Sequence, residues 1–290
     1  MAGKIFQKKV LLSNYTTYKI GGPAKYFFNA ETKEEIIKAI KFARTKKIKF
    51  FILGGGSNVL FSDKGYNGLI IQIRNSKFEI RNSQLRCDAG LSLAKLASSS
   101  AKSGFTGFEW AAGIPKATVG GAIFGHAQAF GEKISDRLEY VEVLDLKTLK
   151  IKNLSKEQCK FSLKNSIFKK RNNFIILSAV FNLPQKTKAE IEKKTQEFLN
   201  YRNKNHPISM PSAGSVFVNP VNMHSGELIE KSGLKGKRIG NAQISEQHAN
   251  FIVNFGNASS KDVQALIKLA QKEVKKKFNI LLETEIRIIK

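Results

Sequence analysis

Cysteine is scarce in this chain: 290 residues carry only Cys87 and Cys159. The two stand far apart, form no CxxC pair and have no histidine pair nearby, so both are read as reduced, packed thiols and no metal site is expected. His126, His206 and His224 share no ligand spacing. No apolar run approaches the roughly 20 residues that a membrane-spanning helix needs. The amino-terminal MAGKIFQKKVLLSNY holds too short a hydrophobic stretch for a signal peptide. A cytoplasmic location without a membrane partner is the expectation. Repeats and low-complexity segments are also missing. Acidic residues are few, 23 Asp and Glu against 49 Lys and Arg, which leaves a net charge of +26. That excess raises nucleic acid as a partner. The basic positions are nevertheless mostly lysine, spread along the chain, and runs such as Lys275, Lys276 and Lys277 fall on the polar face of a predicted helix. They are read as a solvated surface, with no nucleic-acid partner expected and some attraction for an anionic small substrate.

What is present is an ordinary globular composition, 42% hydrophobic, long enough for two or three compact domains. Two glycine-rich turns stand out, LGGGSNVL at 53–60 and GIPKATVGGA at 113–122. The first follows the apolar Phe50, Phe51, Ile52, Leu53 and precedes VLFSDKGYNGLIIQI, which reads as strand and hairpin. A dinucleotide site of the Rossmann kind needs a helix opening directly after the glycines, and none is readable. Gly54, Gly55, Gly56, Ser57 and Asn58 instead read as a strand-to-strand turn whose bare N–H groups can hold a pyrophosphate. A single such turn is more often structural; two in a set order say more.

Thr32 and Glu35 form a capping-box pair ahead of Ile36, Ile37, Ile40 and Ala43, which predicts a helix over 32–46. Residues 69–88 alternate and predict paired strands with a turn at Asn75 and Ser76. A helix is predicted over 92–103, stopping at Gly104, and strands return over 138–183. Pro184 and the polar helix after it mark the best domain boundary. Ser259 and Asp262 cap a last amphipathic helix, followed by ILLETEIRII as a terminal strand. Helices and strands mix without regular alternation, so the fold class is α+β.

Taken in order, TYKIGGPA, LGGGSNVLFSDKGYNGLII, GFTGFEWAAGIP, TVGGA, SAGSVF, GLKGKRIGNAQISEQHANFIVN and LETEIRII resemble the UDP-N-acetylenolpyruvoylglucosamine reductase family, in its shorter type. The resemblance implies an FAD-binding fold of two α+β subdomains, 1–78 and 79–186. A C-terminal α+β substrate domain, 187–290, would then carry a catalytic strand. It also implies FAD as cofactor, NADPH as reductant and a UDP-linked enolpyruvyl amino sugar as substrate, reduced to UDP-N-acetylmuramate for peptidoglycan, with a monomer favoured. Gly54, Gly55, Gly56, Ser57 and Asn58 would line the FAD pyrophosphate, and Ile114, Pro115, Thr118, Gly120 and Gly121 would close the other side of the flavin.

Ser215 matches the family's proton donor, although alone it is an ordinary turn serine. Glu285 matches the catalytic glutamate. Strand alternation would set Glu283, Glu285 and Arg287 on one face, which is equally the pattern of a solvated row. Arg202, Lys204 and Asn219 fall near positions that the family uses for diphosphate and sugar, and are equally readable as surface residues, while the resemblance implies that Arg287 holds anionic substrate. His248 is read as structural.

The chain departs from the family at several of these positions. A tyrosine–arginine pair is replaced by Leu163 and Lys164; Lys164 keeps the charge that steadies the substrate carboxylate but not the planar two-pronged contact. Lys116 stands for a glycine, His126 and Gln128 fall in an asparagine–alanine–glycine run, Val218 replaces a lysine and Asn241 a glycine. Loss of one cation from a diphosphate site costs about 1–3 kcal/mol of binding. Two alternatives follow from these changes: a catalytically impaired homologue that binds flavin or UDP-sugar, and another oxidoreductase on the same FAD fold.

Overall fold

The computed structural model describes residues 5–171 and 173–290. The chain folds as two units: Met1–Phe27, Gly56–Leu69 and Arg202–Lys290 form the first, and Phe28–Gly55 with Ile70–Tyr201 the second. Residues 187–201, grouped by sequence with the third domain, fall in the second unit. Helices and strands are mixed throughout, as the α+β reading expects.

The first unit is organised by the helix Ser260–Phe278. Its capping box is present, Ser259 accepting from the Asp262 N–H and Asp262 accepting from the Ser259 N–H. Val263, Leu266, Ile267, Ala270 and Val274 are buried at helical spacing, and Asn279 ends the helix in the left-handed conformation. This face packs on the antiparallel sheet Arg238–Ile239, Ala242–Ile244, Ile252–Asn254. Tyr18, fully buried, donates its hydroxyl to the Ile252 carbonyl at 2.7 Å, and the Asn254 amide donates to the Tyr18 carbonyl at 3.0 Å. Burial pushes the Tyr18 phenol far above its ordinary range.

Two expectations for this unit change. Of ILLETEIRII only Arg287–Ile289 is a regular strand, with Thr284 in an isolated bridge to Phe217 and a bend at Ile286 between them. One continuous face through Glu283, Glu285 and Arg287 is therefore not formed. Val59–Phe61, expected to begin a hairpin, pairs instead in parallel with Arg287–Ile289, Val59 opposite Arg287. Alternation within one segment says which face is buried, not which distant strand supplies its partner.

The second unit contains a five-stranded antiparallel sheet in the order Ile151–Ser155, Leu138–Asp145, Phe174–Asn182, Gln84–Asp88, Phe78–Arg81. The helices Leu93–Lys102 and Val119–Gly125 are capped by Ser92 and Thr118, which accept from Lys95 N–H and Gly121 N–H. Helix Lys33–Thr45 begins after Thr32 as expected; the Glu35 carboxylate, however, accepts from Glu31 N–H, one residue outside a capping box. The expected turn at Asn75 and Ser76 does not close a hairpin. Phe78–Arg81 pairs with Gln84–Asp88 around Asn82, whose φ of 52° is left-handed, while Asn75 is buried and bonds Leu177 O and Gly90 N–H.

Among the described residues, no helix is long and apolar enough to cross a membrane. Both cysteines are free and buried; burial, reinforced by Asp88, raises the Cys87 thiol, and burial with Glu157 pushes Cys159 up to about 12.

Asn250 holds the first unit together at one particular place. Its side chain accepts from Phe217 N–H and donates to Phe217 C=O, both at 2.9 Å, and Asn250 is buried. Asn250→Ala leaves both groups of Phe217 without partners and is expected to cost roughly 2–5 kcal/mol, read by urea unfolding; a loss below about 1 kcal/mol would contradict this account.

Candidate active site

The first glycine turn has a different role for each glycine. A Cβ on Gly55 would lie 1.5 Å from the Lys116 carbonyl oxygen, and one on Gly54 2.5 Å from Thr118 Oγ1. Those two glycines permit the close approach of the 116–118 segment, all within the second unit. In the first unit, Gly56 has a φ of 71° and its Cβ would lie 2.0 Å from Tyr15 O. Its carbonyl accepts from Thr17 N–H at 3.0 Å and from the Thr17 hydroxyl at 3.3 Å. Among the described residues, the N–H groups of Gly55, Gly56 and Ser57 donate to no protein acceptor. Unspent amide donors on a turn made mostly of glycine are what a diphosphate requires, so the residues fit the FAD pyrophosphate.

The second turn is more self-contained. Gly120 N–H donates to Ala89 O at 2.8 Å, and Gly121 N–H to Thr118 Oγ1 at 3.3 Å. Gly120 also packs on Ala89, whose Cβ would lie 2.9 Å from an added Cβ. Lys116, where a glycine is usual, has a φ of 52°, a conformation that costs an L-residue about 1–2 kcal/mol. Ile114 is partly exposed and Pro115 exposed.

His126 ends the helix Val119–Gly125 with φ 49° and ψ 60°. Its ring reaches Ser162 O at 2.6 Å and Ser135 Oγ at 2.8 Å, and stacks on Phe161 with centroids 4.7 Å apart. Asparagine and histidine both tolerate left-handed backbone better than most residues, which explains how the exchange is accommodated. Lys164 lies in the second unit on the turn 162–165, half-buried with a φ of 50°, beside the exposed Leu163.

Ser215 and Glu285 are brought onto adjacent segments of the first unit. Phe217 bridges Thr284, Glu285 N–H donates to Val216 O at 2.7 Å and Val218 N–H to Glu283 O at 2.9 Å. Glu285 therefore faces Val216, one residue from Ser215, which itself bridges Phe251 on its other side. Asn58 enters the same ladder: its carbonyl accepts from Arg287 N–H at 3.1 Å and its amide donates to Glu285 O at 3.3 Å. The end of the glycine turn and the strand of the candidate glutamate are thus directly bonded, a link that no local pattern displays.

The other candidates are dispersed in the first unit. Arg202 is buried, and burial lowers its guanidinium below the usual range; Lys204 is exposed. Asn219 is exposed, and its side chain accepts from Ser225 N–H at 3.0 Å. Arg287 is partly buried and lowered by that burial, with Tyr66 nearby acting in the opposite sense. His248 is structural, accepting from Asn250 N–H at 3.1 Å and lying 5.3 Å from the His206 ring. Burial, then the charges of His248 and Arg202, push His206 down to about 4. Both rings are held neutral at pH 7, and His206 contributes stability that is lost as pH falls from about 6.5 towards about 4. The buried Asn250 and the linking role of Asn58 were not visible as site-building residues in the sequence, because their partners lie far away along the chain.

Residues 24–154 match the FAD binding domain family, and residues 206–289 match the C-terminal domain of UDP-N-acetylenolpyruvoylglucosamine reductase. The fold and the FAD binding domain match thus define an FAD-dependent flavoprotein. Over 99% of its length the chain is 42% identical to the UDP-N-acetylenolpyruvoylglucosamine reductase of Caldicellulosiruptor bescii, covering 92% of that protein. It is 39% identical to the Bacillus subtilis reductase, over 99% of this chain and 94% of that one. The crystal structure of UDP-N-acetylenolpyruvylglucosamine reductase from Thermus caldophilus superposes with a TM-score of 0.84 at 31% identity, covering 99% of this chain and 100% of that one. The chain belongs to the UDP-N-acetylenolpyruvoylglucosamine reductase family.

Gly55→Ala should destabilise the protein by roughly 3 kcal/mol, because its Cβ meets backbone. Gly121→Ala, with no neighbour nearer than Thr118 Oγ1 at 3.3 Å, should stay within about 1 kcal/mol of wild type. Equal urea midpoints for the two variants would refute the close-approach role of Gly55.

Proposed function

We propose that this FAD-dependent reductase uses NADPH to reduce UDP-N-acetylglucosamine enolpyruvate to UDP-N-acetylmuramate, with Ser215 and Glu285 carrying the proton chemistry. The observation behind this assignment is the ladder that joins the Ser215 segment to the Glu285 segment. FAD, when bound, supplies the hydride-transfer chemistry. Gly54, Gly55, Gly56, Ser57 and Asn58 hold its pyrophosphate, with Ile114, Pro115, Thr118, Gly120 and Gly121 contributing the second turn.

Reduction of the enolpyruvyl double bond needs a hydride at the terminal carbon and a proton at the carbon that bears the carboxylate. The Ser215 hydroxyl gives that proton. A serine hydroxyl is a poor acid in water, so the step needs the developing enolate to be stabilised and the serine's own charge to be relieved. Lys164 offsets the negative charge on the substrate carboxylate as it delocalises, and Glu285 assists protonation at Ser215. Lysine provides a point charge without the bidentate geometry of arginine, so its position must be held more tightly by its surroundings.

Arg202, Lys204, Asn219 and Arg287 bind the anionic parts of the UDP-sugar. Most of the +26 charge lies on a solvent-facing surface and attracts a substrate that carries two phosphate charges and a carboxylate, without binding nucleic acid. The protein works as a cytoplasmic monomer.

Purified protein should show an oxidised flavin spectrum that NADPH bleaches anaerobically and that the enolpyruvyl substrate then restores. Persistence of the bleached spectrum after substrate addition would reject the proposed acceptor.

A further inference from the structure

We propose that His126 is a positioning residue: its ring fixes the turn at 162–165 and so determines where Lys164 presents its charge. This rests on the role assigned above to Lys164.

The geometry lies wholly within the second unit. His126 is 6% exposed and sits where the helix Val119–Gly125 ends. One ring nitrogen, Nδ1, meets the Ser162 carbonyl at 2.6 Å, and the other, Nε2, meets the Ser135 hydroxyl at 2.8 Å. A carbonyl oxygen only accepts, so Nδ1 carries the hydrogen; a neutral ring then accepts from Ser135 at Nε2. Burial lowers the imidazole's proton affinity, and Lys133 and Lys164 act in the same direction, against the Ser162 bond and Asp136. The ring face stacks on Phe161 at 4.7 Å. Thus one side chain holds both the strand of chain entering the turn and the turn's first carbonyl.

The turn itself is closed by reciprocal bonds, Ser162 N–H to Asn165 O at 3.1 Å and Asn165 N–H to Ser162 O at 3.0 Å, with Leu163 and Lys164 at its tip. Lys164 has a φ of 50°, a conformation lysine rarely adopts and one that persists only where the surroundings over-determine it. Those surroundings are visible. Lys169 Nζ donates to Lys164 O at 3.1 Å, and the buried Ser166 donates its hydroxyl to Phe124 O at 2.7 Å. The turn is therefore tied on both flanks to the end of one short helix, through Ser162–His126 and Ser166–Phe124. That helix starts at Thr118, Gly120 and Gly121, so a single rigid element connects residues assigned to the flavin with the turn assigned to the substrate carboxylate. The two sequence departures at 126 and 164 are, in this fold, one structural feature.

The test is a double-mutant cycle on the FAD-loaded enzyme, with kcat and KM measured for wild type, His126→Asn, Lys164→Ala and the double variant. Asparagine keeps tolerance for the left-handed backbone and removes the ring that stacks on Phe161. His126→Asn should lower kcat about tenfold or more with little change in KM, and should cost nothing further once Lys164→Ala is present. Hydrogen exchange at the Ser162 and Asn165 amides should also quicken in His126→Asn without substrate, and Ser135→Ala should reproduce both effects more weakly if His126→Asn does not fold. The same fold-loss from His126→Asn in both backgrounds overturns the proposal, since the residue would then act independently of Lys164. An unchanged kcat in Lys164→Ala refutes the role given to that lysine and the proposal with it, a result recognisably different from additivity.

Discussion

The structure of the first unit depends on a three-way hydrogen-bonded arrangement about residues 283–289. On one side Val216 and Val218 bond Glu285 and Glu283, and on the other Asn58 and Val59–Phe61 bond Glu285, Arg287 and the terminal strand. The chain's last segment is consequently held from both sides, close to the end of the first glycine turn. Buried Asn250 fastens Phe217 by two further bonds, as a strand would, and Ser215 lies two residues away. The roles proposed for Ser215 and Glu285 need a fixed separation as well as a tuned acidity, because a proton transfer tolerates little error in distance. Backbone ladders provide that fixity without spending the side chains themselves.

Glycine does two kinds of work in the second unit. Gly54 and Gly55 let the 116–118 segment cross at a distance that no Cβ permits, and among the described residues the Gly55 amide donates to no protein acceptor. A segment braced in this way holds its backbone donors in place, and donors held in place bind an anion without first being ordered. Gly120 and Gly121, by contrast, spend their amides on Ala89 and Thr118. Any contribution they make to the flavin comes from shape.

Local patterns were legible where the physics is local. The Ser259–Asp262 box and the apolar spacing of Val263 to Val274 predict a helix that begins and ends where it is found. Thr32 caps as its sequence pattern predicts, whereas the caps at Ser92 and Thr118, and the short helix after Thr118, were not read from the sequence although short hydroxyl side chains supply them. Pairing was not legible. Val59–Phe61 looks like the first arm of a hairpin, yet its partner is more than two hundred residues onward, and Asn75 looks like a hairpin turn but is consumed by Leu177 and Gly90. Of the candidate site, the motif order identified the residue types and their family, while the bonds from Asn58 to Glu285 and from His126 to Ser162 join positions that no window of sequence contains. Lys116, His126 and Lys164 show the converse: each occupies a left-handed position, which the sequence alone does not mark as backbone strain.

The central claim is that Ser215 acts in the chemical step and not in substrate capture. It is tested most directly by single-turnover reoxidation of enzyme already reduced with NADPH, comparing wild type with Ser215→Ala. The account predicts that the alanine enzyme binds the UDP-sugar with unchanged affinity but reoxidises at least about a hundredfold more slowly. Reoxidation at the wild-type rate would contradict it.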